Sequence, residues 1–202
     1  MDGDSIEFGL ILLAAGGSVR MGRPKQLLPW RGRPLLRHAA ESAIASGPAA
    51  VIVVLGAAAD EARAVLAELP VHPIVNDRWQ AGMGSSLKLG LSALLAARPA
   101  ISAAIIMLAD QPMVGESAIR ELLAAHRQTG KPICAAVYAG TLGAPVLFAA
   151  SQFDKLAAIG DNEGAKRLLA RSPGDVAAVL LAAGSMDIDT PDDYHALTDG
   201  AT

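Results

Sequence analysis

The residues best suited to chemistry stand near the start of the chain. Residues 12–25 read Leu-Leu-Ala-Ala-Gly-Gly-Ser-Val-Arg-Met-Gly-Arg-Pro-Lys. Ala14, Ala15 and Gly16 are small enough to let backbone N–H groups come close to an anion, and Ser18 adds a hydroxyl. Arg20 and Lys25 set two cations beside them. A guanidinium grips phosphate oxygens as a fork, and an ammonium acts as a point charge. Together these residues suit a polyphosphate. No Gly-Lys-Ser/Thr closes the loop, and Gly16, Ser18 and Gly22 do not have the spacing of the dinucleotide fingerprint. The competing reading is an ordinary turn with solvated charges. Two cations placed directly after an apolar run weigh against it.

Carboxylates supply the second half of the chemistry. Asp110 follows the apolar run 103–108. Mg²⁺ favours one or two carboxylates completed by substrate phosphates and water, so Asp110 is a candidate ligand; a turn or cap aspartate is the alternative. Asp187 and Asp189 share a face of a short extended piece, and one of them is a candidate second ligand. Thr190 reads as the N-cap of a helix with Pro191 at its first position, leaving Asp192 and Asp193 to face the helix dipole. Gly82, Gly84, Ser85 and Ser86 form a second small-residue loop at a helix start. Its N–H groups can hold part of a nucleotide, or a serine there simply caps the helix. Cys134 lies within an apolar run and reads as an inert buried thiol. His38, His72, His126 and His195 lack metal-ligand spacing. Trp30, after the first loop, and Trp79, just before the second, read as packing supports.

These groups need a scaffold. Solid apolar runs at 8–14, 51–55 and 103–108 predict strands buried on both faces, with further strands at 71–75, 133–137, 144–148 and 177–181. Helical spacing falls at 34–46, 60–69, 85–97, 117–128 and 162–171. The alternation predicts an α/β three-layer sandwich with a mostly parallel sheet, and the 138–148 stretch admits one antiparallel strand or hairpin. In such a sheet ligands bind beyond the carboxyl ends of the strands, where both loops and Asp110 fall. The 202 residues are 52% hydrophobic and 18% charged, enough for a core and too apolar for disorder. They suit a single domain, 1–202. A net charge of −3 argues against a nucleic-acid partner. One cysteine excludes a disulfide framework. No apolar stretch approaches the roughly 20 residues of a membrane span, and the polar start lacks a signal peptide's features, so a cytoplasmic protein is expected.

The segment from Leu13 through Ala14-Ala15-Gly16, Ser18, Arg20-Met21-Gly22 and Pro24-Lys25-Gln26-Leu27-Leu28 resembles the signature of the MobA-like nucleotidyltransferases. Within them it is most similar to the molybdenum cofactor cytidylyltransferase branch. The similarity recurs at Gly82-Met83 with Ser86-Leu87, at Asp110-Gln111-Pro112, at Gly143, Pro145-Val146 and Phe148, and at 187–193, spanning about 9–197 in the family's order. The resemblance implies a Rossmann-like nucleotidyltransferase fold, an NTP and Mg²⁺. It implies attack by a substrate phosphate on the α-phosphate, with release of pyrophosphate. Carried over, Ala14, Ala15, Gly16, Ser18, Arg20 and Lys25 hold the nucleotide phosphates, and Asn76 and Ser86 lie near base and sugar. Arg20, Lys25 and Asp110 serve catalysis, and Asp110 with Asp189 binds the metal. Ala-Ala-Gly at 14–16 is similar to members that use CTP. The implied acceptor is molybdopterin cofactor, with a partner oxidoreductase to receive the product. Two departures fall on the acceptor side: Ala144 stands where the family often has His, and the segment 160–166 is one residue longer than the family's. Another phosphorylated metabolite as acceptor, or a cofactor-holding chaperone, are the alternatives.

Overall fold

A computed structural model describes residues 6–138, 140–181 and 187–199. Residues 1–5 of the polar start, and Met186 beside the last motif, lie outside them. In chain order the strands are β1 (Phe8–Ala14), β2 (Pro29–Trp30), β3 (Arg33–Pro34), β4 (Val51–Leu55), β5 (His72–Val75), β6 (Ala103–Leu108), β7 (Ile133–Tyr138), β8 (Thr141–Ala149) and β9 (Val176–Leu180). The helices are α1 (Leu35–Ala45), α2 (Ala59–Val65), α3 (Met83–Ala97), α4 (Glu116–Thr129), α5 (Phe153–Ala157), α6 (Ala165–Arg171) and α7 (Pro191–Asp199).

The solid apolar runs form the middle of a seven-stranded sheet ordered β5-β4-β1-β6-β8-β7-β9. Every residue of β1 and of β4 is buried, as two covered faces require. Pairing is parallel except at β8, which runs antiparallel to β6 and to β7. Side chains alternate across the sheet. Leu10 and Leu12 of β1 pack with Leu36 and Ala40 of α1 and Ile119 of α4 on one face. Ile11 and Leu13 pack with Leu87 and Leu91 of α3 and Leu156 of α5 on the other. The result is the expected Rossmann-like three-layer sandwich. At Gly90 helix α3 lies so close to β1 that a Cβ would stand 2.5 Å from Ile11 Cγ2.

Two helices are shorter than their apolar spacing suggests. The 60–69 expectation yields α2 over Ala59–Val65 only, because Glu68 adopts a left-handed conformation (φ 69°) that no helix continues through. The 162–171 expectation yields α6 over Ala165–Arg171, because the preceding residues pack against another loop. A third, small cluster positions the site. Met21, Leu28, Trp30 and Leu35 pack with Ile188 and Leu197, pinning the segment after β1 to the start of α7.

Candidate active site

The loop leaving β1 folds on itself before it offers its cations. Ser18 takes a left-handed conformation (φ 51°), and its carbonyl accepts the N–H groups of Met21 and Gly22 at 3.0 and 3.1 Å. Its hydroxyl accepts the Lys25 backbone N–H at 3.0 Å, so this oxygen shapes the loop instead of facing a ligand. Gln26 anchors the loop from below, its Nε2 donating to the Ala57 carbonyl at 3.2 Å. Lys25 is thereby aimed at the end of β6, where Nζ donates to Asp110 Oδ2 at 2.5 Å. The same Nζ donates to Asp189 Oδ1 at 2.8 Å. Arg20 donates to Asp189 Oδ2 at 2.7 Å.

Asp189 arrives there by backbone pairing. The Ile188 N–H donates to the Asp110 carbonyl at 3.0 Å, and the buried Ile188 side chain fixes the strand piece. Thr190 and Asp193 then cap each other. Asp193 Oδ2 accepts the Thr190 N–H at 2.7 Å and the Asp189 N–H at 3.1 Å, while Thr190 Oγ1 accepts the Asp193 N–H at 3.3 Å. The expected N-cap is present, with Asp193 doing more than facing the dipole. Asp187 turns elsewhere: its Oδ1 accepts from Gln111 Nε2 at 2.8 Å.

Burial sets the electrostatics. It pushes the Asp110 carboxyl up, and the Lys25 ammonium pulls it back without cancelling the rise. Burial works to lower Lys25, yet the two carboxylates, Asp110 foremost, carry its ammonium above the usual lysine value. The hydrogen bond from Lys25, with Arg20 adding to it, holds Asp189 below the usual carboxylate range. Asp110 Oδ1 is buried and has no hydrogen-bond partner among the described residues.

Two cavities meet at Leu13, Lys25, Met83, Leu108 and Asp110 and make one cleft. One, of about 280 Å³, is lined by Ala14, Ala15, Gly16, Ser86 and Trp79. The other, of about 410 Å³, is lined by Arg20, Gln111, Tyr138, Ala144, Lys166, Asp187 and Asp189. Most of the expected phosphate and metal residues therefore converge on one edge of the sheet. Asn76 stands one step behind: it is buried, and its Nδ2 donates to Ser85 Oγ at 2.8 Å and Ser86 Oγ at 2.9 Å, holding Ser86 in the wall. Trp79 packs against the loop after β1, where a Cβ on Gly17 would lie 2.8 Å from the indole. Sequence reasoning gave no role to Tyr138, whose hydroxyl donates to the Ala144 carbonyl and accepts from Gln111 Nε2 at 3.0 Å. Only its position at the end of a strand, β7, signals it. Cys134 is buried, its thiol pushed up to about 11 by burial.

Comparison with known proteins places this arrangement. Residues 10–176 match the MobA-like NTP transferase domain. The chain belongs to that family. It is 41% identical over 121 residues to nicotine blue oxidoreductase of Paenarthrobacter nicotinovorans, covering 58% of this chain and 56% of that protein. The chain thus spans about half the length of that relative, 56%. It is 29% identical over 196 residues to the purine catabolism protein PucB of Bacillus subtilis, covering 91% of this chain and 92% of PucB. Among solved structures, Rv0371c of Mycobacterium tuberculosis H37Rv, in complex with manganese, is 29% identical with a TM-score of 0.77, covering 96% of this chain and 98% of that one. Among the described residues no helix is long and apolar enough to cross a membrane.

Proposed function

We propose that this chain moves CMP from CTP to a phosphate of molybdopterin cofactor and releases pyrophosphate, in the cytoplasm where NTPs are held. The observation that carries the reading is the Lys25 ammonium bridging Asp110 and Asp189 at the junction of the two cavities. An oxygen of the acceptor phosphate forms the new bond to the α-phosphorus. The bond from that phosphorus to the bridging oxygen of the β-phosphate breaks, and pyrophosphate leaves with the electron pair. Such transfer asks for charge neutralisation and in-line placement and needs no covalent enzyme intermediate. The backbone at Ala14, Ala15 and Gly16 approaches the triphosphate, with Arg20 and Lys25 meeting its charge. Ser86 lines the nucleoside side. The acceptor takes the second cavity, beside Lys166 and Tyr138.

The site fits a divalent ion. Asp110 Oδ1 is buried with no hydrogen-bond partner among the described residues, Asp110 Oδ2 shares the Lys25 ammonium with Asp189, and oxygen donors suit Mg²⁺. Asp110 and Asp189 would hold the ion, which when bound supplies further neutralisation of the triphosphate. CTP as donor is supported by Ala-Ala-Gly at 14–16, and molybdopterin by the family resemblance. A molybdoenzyme oxidoreductase is the expected recipient of the product.

Pyrophosphate release measured with CTP, Mg²⁺ and molybdopterin tests the reading; no release with any of the four NTPs sinks it. The 41% identity to a protein named as an oxidoreductase favours a second reading, redox chemistry on an organic substrate in the larger cavity. That reading expects a nicotinamide or flavin reductant to be consumed without pyrophosphate appearing.

A further inference from the structure

The two halves of the cleft have walls from distant parts of the chain, and these walls touch. Trp79, Gly82, Met83 and Ser86 line the smaller cavity, while Gly164, Ala165 and Lys166 line the larger. A Cβ on Gly84 would lie 2.1 Å from the Gly160 carbonyl oxygen and 2.6 Å from that of Glu163. Gly82, at φ +121°, would place a Cβ 2.6 Å from the Asp161 carbonyl oxygen. The glycine pair that read as room for a nucleotide is room for the 160–164 loop. The Ser85 N–H donates to the Asp161 carbonyl at 3.2 Å. The Asp161 carboxylate is held from two sides of the nucleotide wall, by Arg78 at 2.7 Å and by Lys88 Nζ at 2.6 Å. Past Asp161 the chain reaches Lys166, which makes no ion pair among the described residues.

We propose that Asp161 is a positioning residue that latches the acceptor wall to the nucleotide wall, so that filling the nucleotide half fixes Lys166 for an acceptor's phosphate. The inference rests on the reading of the cleft given above. Without the latch, 160–164 is a surface connection between α5 and α6, and such segments open at low free energy. A bound nucleotide restrains 79–86. The Asp161 ion pairs pass that restraint to 160–166, so the ordering cost at the acceptor half is met before the acceptor arrives. Nucleotide-first binding follows.

Hydrogen exchange on the intact chain tests this without an acceptor. CTP with Mg²⁺ should slow exchange in both 76–86 and 160–166 of the wild type. Asp161→Asn keeps the shape and removes the charge. It should keep the nucleotide-induced protection of 76–86 within about twofold and lose about tenfold or more of that in 160–166. The double variant Arg78→Gln/Lys88→Gln should do the same with Asp161 in place. In the ligand-free protein both variants should already exchange faster at 160–166. Wild-type protection of 160–166 in either variant overturns the latch, as does equal loss in both segments, which means ordinary packing. If none of the four NTPs slows exchange at 13–25 or 76–86 in the wild type, the nucleotide reading fails and the coupling with it. A failed latch, by contrast, leaves nucleotide protection intact.

Discussion

Lys25 stands between the two carboxylates proposed to hold a divalent cation. Its Nζ, with the side chain 16% exposed, touches carboxylates that lie 85 and 164 residues away in sequence. An ammonium that satisfies Asp110 and Asp189 competes with any ion that needs them. Lys25→Met keeps the length and removes the charge. It leaves the two carboxylates repelling each other, a state a divalent ion relieves. The variant should bind Mn²⁺ without nucleotide about tenfold or more tightly than wild type, read by electron paramagnetic resonance, while its turnover falls on the order of a hundredfold or more. Unchanged or weaker Mn²⁺ binding refutes the competition. Asp110→Asn should lose metal-dependent turnover yet melt within a few degrees of wild type, since Lys25 keeps Asp189 as its partner and no buried charge is left unpaired. A collapse in melting temperature would make Asp110 a structural residue. The pH dependence has a definite sign. Asp189 is held below the usual range, so it contributes stability above its unfolded value of about 4 and loses it as pH falls through the lower folded value. Removing Lys25 should therefore flatten the acid limb of urea stability below about pH 4. An acid limb as steep as wild type's excludes this contribution.

At the scale of elements, the caps and the bends decide what the apolar pattern leaves open. The strands at 8–14, 51–55 and 103–108 were legible because a doubly covered strand needs an unbroken apolar run. The end of α2 was not, since the conformation of Glu68 belongs to the turn into β5. The start of α6 was not, since 160–164 is recruited by a loop nearly eighty residues earlier. The Thr190 cap was legible from its own four residues, and it reaches the candidate site: the Asp193 carboxylate that completes the cap also holds the Asp189 N–H. Thr190→Ala should cost about 1 kcal/mol of stability, as lost caps do, and lower turnover by more than that loss explains, because the Thr190 hydroxyl that donates to Asp193 Oδ2 at 2.8 Å also steadies the carboxylate holding the Asp189 N–H. Turnover that falls only in step with unfolding would restrict the cap to a structural role. Cys134 in β7 is covered on both faces, and burial has pushed its thiol up to about 11. It should react with a thiol reagent at pH 8 only in urea. Prompt reaction of the native protein would mean that β7 opens.

At the scale of the whole molecule, the sheet order does what no motif can. β1 and β6 are neighbours, so the loop after β1 and Asp110 leave the same edge, and the small cluster around Ile188 brings Asp189 to them. Residue types and order could be read from the sequence; which cation meets which carboxylate could not, because that depends on register and on packing between segments far apart. The same limit explains Ser18 and Asn76, whose polar atoms suit a ligand by type but are spent inside the protein. The cavity proposed for the nucleotide carries a whole-molecule prediction. A ligand that binds only the folded chain stabilises it by mass action, by about 2.7 kcal/mol at a hundred times its dissociation constant. For a chain of this size each kcal/mol moves the melting temperature by about 2–4 °C, so a saturating NTP should raise it by roughly 5–11 °C. With Mg²⁺ present, CTP should give the largest rise among the four NTPs, because the small residues at 14–16 set how the backbone approaches the nucleotide. An equal or greater rise with GTP would show that Ala-Ala-Gly does not select the base.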